Sequence, residues 1–234
     1  MEGTLYLLPT TLGESDLHHV LPDYNFSVMN QLAHFIVEDI RSARRFLKKV
    51  NPAINIDTLT FMTLNEQTSD IELPALLQPL KEGHDVGVIS EAGCPAIADP
   101  GAAIVQLAQA AGIRVIPLVG PSSLLMALMA SGFNGQNFAF VGYLPITSHE
   151  RIKTLKMLEK KAITENQTQI FIETPYRNHK LMEEIMETLL PTTHLCVAVD
   201  VSLPSEWIRT LNIAAWKKQI PDIQKKPTVF LINR

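Results

Sequence analysis

Residues 90–101 are Ser90-Glu91-Ala92-Gly93-Cys94-Pro95-Ala96-Ile97-Ala98-Asp99-Pro100-Gly101, and the interpretation of the whole chain depends on them. An apolar run at 85–89, typical of a buried strand, precedes them, and an alanine-rich segment at 102–111, which favours a helix, follows. A glycine- and proline-containing loop after a parallel strand is where open α/β sheets hold ligands. The same residues also fit a tight turn, with Asp99 capping the helix and Pro100 at its first position. The pattern leaves both interpretations open.

The composition is that of a globular protein. The 234 residues are 46% hydrophobic and 19% charged, and the length suits one large domain or two small ones. A formal net charge of −4 gives no general attraction to polyanions, so any such site must be a local patch. Cys94 and Cys196 are the only cysteines, which favours a reducing, cytoplasmic compartment. The seven histidines lack metal-ligand spacing, so we expect no metal.

We expect neither a leader peptide nor a membrane-spanning segment. The first three residues include an acid and no basic residue, unlike the start of a signal peptide. Residues 115–133 carry no charge, but Pro117, Gly120 and Pro121 interrupt them, so they cannot form one spanning helix. The expected protein is soluble.

Strands and helices alternate in the first half of the chain, which predicts an α/β domain with a parallel, doubly wound sheet of about five strands. Its strands are expected at 4–8, 33–37, 59–62, 85–89 and 114–119. Helices are expected at 42–50, 72–82, 102–111 and 124–131. Several later strands follow one another without a helix, which predicts a mixed sheet in an α+β domain. Those strands are expected at 138–144, 169–173, 194–200, 207–211 and 228–233. The expected domains are residues 1–120 and 121–234.

Basic residues share one face of the helix predicted at 42–50. They recur at i, i+3, i+4, i+7 and i+8, and they are Arg41, Arg44, Arg45, Lys48 and Lys49. No acid interrupts this face, which begins next to Glu38 and Asp39. A solvated helix surface and a surface that binds an anion or RNA both fit the pattern.

Short motifs recur at or near the predicted strand ends. They are Leu5 to Pro9, Glu38-Asp39 with Arg41, Arg44, Arg45 and Leu47, Asn65-Glu66, residues 90–101, Gly120-Pro121-Ser122, Gly142-Tyr143-Leu144-Pro145 and Glu173-Thr174-Pro175-Tyr176-Arg177. Each motif is weak alone, but in this order and spacing they resemble the tetrapyrrole methylase family, the class III methyltransferases that use S-adenosylmethionine. The likeness is greatest to members that methylate a cytidine ribose 2′-hydroxyl in small-subunit ribosomal RNA.

The resemblance implies a two-domain fold with S-adenosylmethionine in the cleft between the domains. It also implies a homodimer whose partner is ribosomal RNA or the small ribosomal subunit. The residues that match the family's cofactor contacts, or that shape the loop, are Leu12, Gly93, Cys94, Pro95, Ile97, Ser122 and Ser123.

A hydroxyl acceptor is a very weak acid, so a base should assist its reaction. Glu38, Asp39 and Glu66 follow predicted strands at the edge that carries the cofactor loop, and we expect one of them to act. Arg41 would hold that acid or a phosphate. Helix capping and ion pairing are the alternative for these acids. The RNA backbone would run along Arg44, Arg45, Lys48 and Lys49.

The chain also departs from the family pattern. Thr11-Leu12-Gly13-Glu14 replaces a Pro-Ile-Gly-Asn-like turn, and Glu91 and Cys94 stand where Asp and Thr are usual. Residues 202–210 replace a basic strand. Two alternatives therefore stay open: a methyltransferase acting on a tetrapyrrole or another small acceptor, and a non-catalytic protein that keeps the cofactor site.

Overall fold

The structure is a computed structural model and describes residues 2–234. The chain divides into two compact units, the first ending at Ser122 and the second running from Ser123 to Arg234. Each unit contains one five-stranded sheet. Within the described residues, no helix combines the length and the apolar character that crossing a membrane requires.

The first unit is built on a parallel sheet. Its strands are β1 (Leu5–Leu8), β2 (His34–Val37), β3 (Thr60–Thr63), β4 (Val86–Ile89) and β5 (Val115–Pro117). Their order is β3-β2-β4-β1-β5, and every neighbouring pair is parallel. Because all strands run the same way, the loops that follow them leave from one edge of the sheet.

Helices cover both faces of this sheet. They are α1 (Leu17–Val20), α2 (Asp23–Met29), α3 (Ile40–Val50), α4 (Gln78–Lys81) and α5 (Gly101–Ala110). Successive residues of β2 point to opposite faces, since Phe35 packs in a cluster with Leu47 of α3 and Ile36 in another with Ile104 of α5. The predicted doubly wound arrangement is confirmed.

The helix predicted at 72–82 is wrong in its detail. The segment forms a 3-10 turn at Leu73–Leu77 and then the short helix α4. Pro79 has no amide hydrogen to donate to the carbonyl of Ala75, which disfavours one helix through both turns, whereas a proline is tolerated in the first turn of α4.

The second unit contains a mixed sheet. Its strands are β6 (Phe138–Tyr143), β7 (Thr168–Ile172), β8 (His194–Val199), β9 (Trp207–Asn212) and β10 (Thr228–Asn233), in the order β6-β7-β10-β8-β9. Strands β6 and β7 are parallel, and the remaining pairs are antiparallel. The helices are α6 (Ser123–Ser131), α7 (Ser148–Glu165), α8 (Asn178–Thr188) and α9 (Ile213–Trp216). The predicted mixed sheet is confirmed.

Helix α7 is 18 residues long. It packs through Leu155, Leu158 and Ala162, and it ends where Asn166 adopts a left-handed backbone conformation. Near its start, the buried Arg151 forms an ion pair with Glu184 of α8. This pair and the apolar residues together fix the helix on the sheet.

Candidate functional site

Hydrogen bonds join the loops that follow β1, β4 and β5 at the carboxyl edge of the parallel sheet. The amide of Thr10 donates to the carbonyl of Gly93 at 2.9 Å, and the Thr10 hydroxyl donates to the carbonyl of Ser90 at 3.4 Å. The Cys94 thiol lies 3.4 Å from the carbonyl oxygen of Pro121. Three segments that are far apart in the sequence therefore form one wall.

Gly93 is required by the close packing of this wall. Its φ of 73° is in the left-handed region. A Cβ at this position would lie 3.0 Å from Leu12 Cδ2 and 3.3 Å from the carbonyl oxygen of Pro121. Both the left-handed backbone conformation and the tight space disfavour a side chain here.

Asp99 organises the second half of the central loop. Its Oδ1 accepts hydrogen bonds from the amides of Ala96 and Gly101, each at 2.8 Å. This half of the loop is therefore a helix start, and the ligand-binding interpretation of the first half stays a prediction. One detail differs, because Pro100 occupies the N-cap position and α5 begins at Gly101.

Ile97 is held outward by unusual backbone on either side. Ala96 and Ala98 have φ values of 67° and 60°, a conformation that costs free energy for any residue with a Cβ. The Ile97 side chain between them is 53% exposed. An exposed apolar side chain on a tightly bonded loop is suited to contact a bound molecule.

The predicted cofactor residues lie in both units. Leu12, Gly93 and Cys94 meet at the wall in the first unit, and Pro95 is buried behind it. Ser122 is the last residue of the first unit and Ser123 the first of the second, where α6 begins. Their contacts to a cofactor stay predictions.

Three acidic residues lie close enough to Glu38 to affect its ionisation. Burial raises the pKa of Glu38, and the charges of Glu91, Asp99 and Glu66 raise it further. Glu38, Ser90 and Asp99 line a small cavity. Burial also raises the pKa of Asp99, against the effect of its bonds to Gly101 and Ala96. Within the described residues, no group of three or more metal-binding side chains is placed to hold an ion.

Asp39 has a different environment from Glu38. Its Oδ1 accepts a hydrogen bond from the Ser42 amide at 2.7 Å, which makes Asp39 the N-cap of α3. This bond holds the pKa of Asp39 below its usual range. The capping alternative therefore describes Asp39, whereas Glu66 is exposed after β3.

The basic face of α3 is partly neutralised by the protein itself. Arg44 pairs with Asp57 at 2.8 Å, and Lys49 pairs with Glu14 of the first loop at 2.7 Å. The Lys48 ammonium donates to the carbonyls of Pro52 and Ile54 at the end of the helix. The helical periodicity of the sequence does not reveal these partners, because none of them lies on α3.

Arg41 and Arg45 are less constrained. Both are exposed, and neither forms an ion pair within residues 2–234. The Arg45 guanidinium donates to the Ser42 hydroxyl at 3.4 Å, a long hydrogen bond. These two arginines keep most of their capacity to bind an anion.

A pocket of about 320 Å³ connects the basic helix with the strand-end loops. Its walls come from the first loop, from α3 and from the start of the central loop. They include Thr10, Leu12, Glu14, Ser42, Arg45, Lys49, Ser90 and Glu91. One side of the pocket thus carries the cationic groups of Arg45 and Lys49. The other side carries residues of the first loop, including Thr10, which is hydrogen-bonded to the central loop.

Residues 32–215 match the family described as Tetrapyrrole (Corrin/Porphyrin) Methylases. The chain belongs to this family. A ribosomal RNA small subunit methyltransferase I from Escherichia coli O157:H7 is 30% identical over 99% of this chain and 78% of its own length. The protein of the same name from Pseudomonas aeruginosa is 31% identical over 98% of this chain and 78% of its own length.

Solved structures of tetrapyrrole methylases share the fold. The methyltransferase CobJ has a TM-score of 0.65 at 17% identity, covering 100% of this chain and 94% of its own. The cobalt precorrin-4 methyltransferase CbiF has a TM-score of 0.61 at 15% identity, covering 98% of this chain and 94% of its own. At these identities the comparison shows the architecture alone.

The protein is an S-adenosylmethionine-dependent methyltransferase, as its family membership shows. The residues present in the first unit fit this methyl donor. Gly93 leaves no side chain at the wall, Ile97 offers an exposed apolar contact, and the acids around Glu38 favour a positively charged group such as a sulfonium. The contribution of Glu91 and Asp99 to this acidic environment was not part of the sequence-based prediction, although both belong to the central loop.

Proposed function

We propose that this protein methylates the ribose 2′-hydroxyl of a cytidine in small-subunit ribosomal RNA, as a homodimer in the cytoplasm. The observation that carries the proposal is the identity of 30–31%, over nearly the whole chain, to enzymes named for small-subunit ribosomal RNA. The pocket beside α3 adds physical support, since Arg45 on its wall has no ion-pair partner within the described residues and suits a phosphodiester, whereas Lys49 is paired with Glu14.

Glu38 is the group we assign as the base. It stands directly after β2, lines the small cavity beside Ser90, and has a pKa raised toward the range in which a carboxylate accepts protons effectively. Asp39 is committed to capping α3 and its pKa is lowered, so it is a poorer base. Glu66 contributes charge to the neighbourhood of Glu38 from an exposed position.

The methyl transfer is an in-line displacement. When bound, S-adenosylmethionine would supply an electrophilic methyl group on a sulfonium, and its sulfur would keep the electron pair of the carbon–sulfur bond that is replaced. The Glu38 carboxylate would take the proton of the 2′-hydroxyl while the ribose 2′-oxygen forms its bond to the methyl carbon. The loops around Gly93 and the pocket wall hold the two reactants in line and exclude water.

The cations of α3 hold the RNA backbone. Arg41 and Arg45 bind phosphates directly, because neither has an ion-pair partner within the described chain. Arg44 and Lys49 join them by exchanging Asp57 and Glu14 for phosphate. Such exchange is easy for exposed pairs, whose net stability is small.

The experiment has two stages, each with its own readout. Calorimetry with S-adenosylmethionine first measures cofactor binding. Transfer of labelled methyl to small ribosomal subunits lacking the modification, followed by nucleoside analysis, then identifies the acceptor. We expect binding, incorporation and a single 2′-O-methylcytidine. Absence of cofactor binding would refute the enzyme, and incorporation into a tetrapyrrole but not into RNA would reassign the acceptor.

Variants of the acids test the assigned base. We expect Glu38→Gln to lower kcat by about 10²- to 10⁴-fold while cofactor binding is unchanged. Glu66→Gln and Asp39→Asn are the matched controls and should retain most of kcat. Normal cofactor binding with no incorporation by the wild-type protein would instead support a non-catalytic binding protein.

A further inference from the structure

We propose that the exposed face of α7 in the second unit is a further binding surface for the phosphodiester backbone of the RNA. The lysine face consists of Lys153, Lys156, Lys160 and Lys161. This inference rests on the proposed function, because it assumes that RNA is the substrate.

The buried side of α7 determines which side chains face the solvent. Leu155, Leu158 and Ala162 pack into the core of the second unit, and Arg151 is buried against Glu184. The helix cannot rotate without exposing these groups, so the lysines stay on the outer side. Lys153, Lys156 and Lys160 form a row about 10 Å long at a rise of about 1.5 Å per residue.

No acid among the described residues forms an ion pair with the lysine face, and the exposed Glu165 lies only at the C-terminal end of the helix, one turn after Lys161. Glu159 lies within the same segment, but it is buried and accepts hydrogen bonds from the Leu190 amide at 2.8 Å and the Thr193 hydroxyl at 2.6 Å. Glu150 lies a turn earlier, bonded to the Thr147 hydroxyl. None of the four lysines has an ion-pair partner in the part of the chain that is described.

This surface differs from the basic face of α3, where acids or carbonyls already hold Arg44, Lys48 and Lys49. Unpaired cations lose no internal contact when they bind phosphate. The lysine face is also a positively charged patch in a chain whose net charge is −4, and such a patch attracts a polyanion.

An anionic membrane is a less suitable partner than RNA. A membrane-surface helix must insert an apolar face, but the apolar face of α7 is already buried in the protein. Two large apolar side chains are exposed along α7, Met157 at 49% and Ile163 at 40%, and they do not form a continuous apolar stripe. The face therefore offers charge without the area that insertion needs.

The test measures binding of deproteinised small-subunit RNA at several salt concentrations. The variant Lys153→Gln/Lys156→Gln/Lys160→Gln should bind about tenfold or more weakly and reduce the slope of log K against log salt by about 2 to 3. The matched control Lys217→Gln/Lys218→Gln/Lys225→Gln removes the same charge from exposed lysines elsewhere in the second unit. Its affinity and slope should be close to those of the wild type.

The two proposals fail separately in these assays. Absence of methyl transfer by the wild-type protein counts against the proposed function, whereas the salt slope reports on the lysine face without any transfer. An unchanged slope in the triple variant, or an equal loss in the control, would overturn the lysine face as an RNA site. Binding to anionic phospholipid vesicles that RNA does not displace would overturn it in favour of a membrane.

Discussion

Replacing Arg151 with methionine is expected to destabilise the second unit by about 3–5 kcal/mol. The Arg151 side chain is 2% exposed and that of Glu184 is 10% exposed. The Arg151 guanidinium donates to both carboxylate oxygens of Glu184. It also donates to the carbonyls of Pro145 at 3.1 Å and Ile146 at 2.9 Å. Removing it leaves a buried carboxylate without its cationic partner, and this uncompensated charge accounts for most of the loss.

The double variant Arg151→Met/Glu184→Met separates the charge from the packing. It removes both charges and keeps similar volume, so only the two carbonyls lose a donor. We expect it to be more stable than the single variant by about 2 kcal/mol. This comparison gives the coupling between the two side chains.

Tryptophan fluorescence during denaturant unfolding is a suitable assay. The chain has two tryptophans, Trp207 and Trp216, and both lie in the second unit with ring centroids 6.0 Å apart. The Trp216 side chain is fully buried. The signal therefore reports on the unit that contains the ion pair.

The pH dependence provides a second readout. The hydrogen bonds from Arg151 hold the pKa of Glu184 below the ordinary value of 4.5. The ion pair therefore contributes its full stability above pH 4.5, the ordinary pKa of glutamate. This contribution is lost as the pH falls from 4.5 toward the lowered pKa of Glu184. The difference between wild type and Arg151→Met should shrink below about pH 4.5. A loss under about 1 kcal/mol, a double variant no better than the single one, or a pH-independent difference would refute the reasoning.

Three further predictions concern the first unit. Because burial and neighbouring acids raise the pKa of Glu38, kcat should fall as the pH drops through a range above the ordinary glutamate value; a profile level down to about pH 4.5 would contradict its role as base. Gly93→Ala should weaken S-adenosylmethionine binding about tenfold or more by calorimetry, whereas Gly112→Ala, with a similar φ of 74° and no neighbour within 4 Å, should leave it unchanged. Glu14→Gln should free Lys49, raise RNA affinity and steepen the salt slope by up to about one, and Glu72→Gln, which removes an exposed acid elsewhere, should do neither.

Local sequence patterns were sufficient to predict most strands and helices. Each apolar run has the period of the element it forms, and the buried strands carry β-branched and leucine residues that pack on both faces. The type and length of the helical segment were predicted less well where prolines interrupt a helical pattern. At Pro79 the missing amide hydrogen divides the segment into a 3-10 turn and a short helix, although its composition favours one helix.

The candidate site was only partly predictable. The sequence places Glu38, Asp39 and Glu66 after strands, but it does not distinguish the capping acid from the one with a raised pKa. That difference depends on the side-chain environment: Asp39 bonds to Ser42 in its own helix turn, whereas Glu38 faces acids that follow another strand.

The sequence by itself determined most of the strands and helices, the parallel and mixed character of the two sheets, and the motifs that the family shares. These properties follow from the period and chemistry of neighbouring residues. Only the tertiary structure decided which distant groups meet, because strand order brings Thr10 to Gly93 and the return of the chain brings Glu14 to Lys49. The second of these contacts shows that Lys49 is already paired, which its position on the basic face of α3 does not reveal.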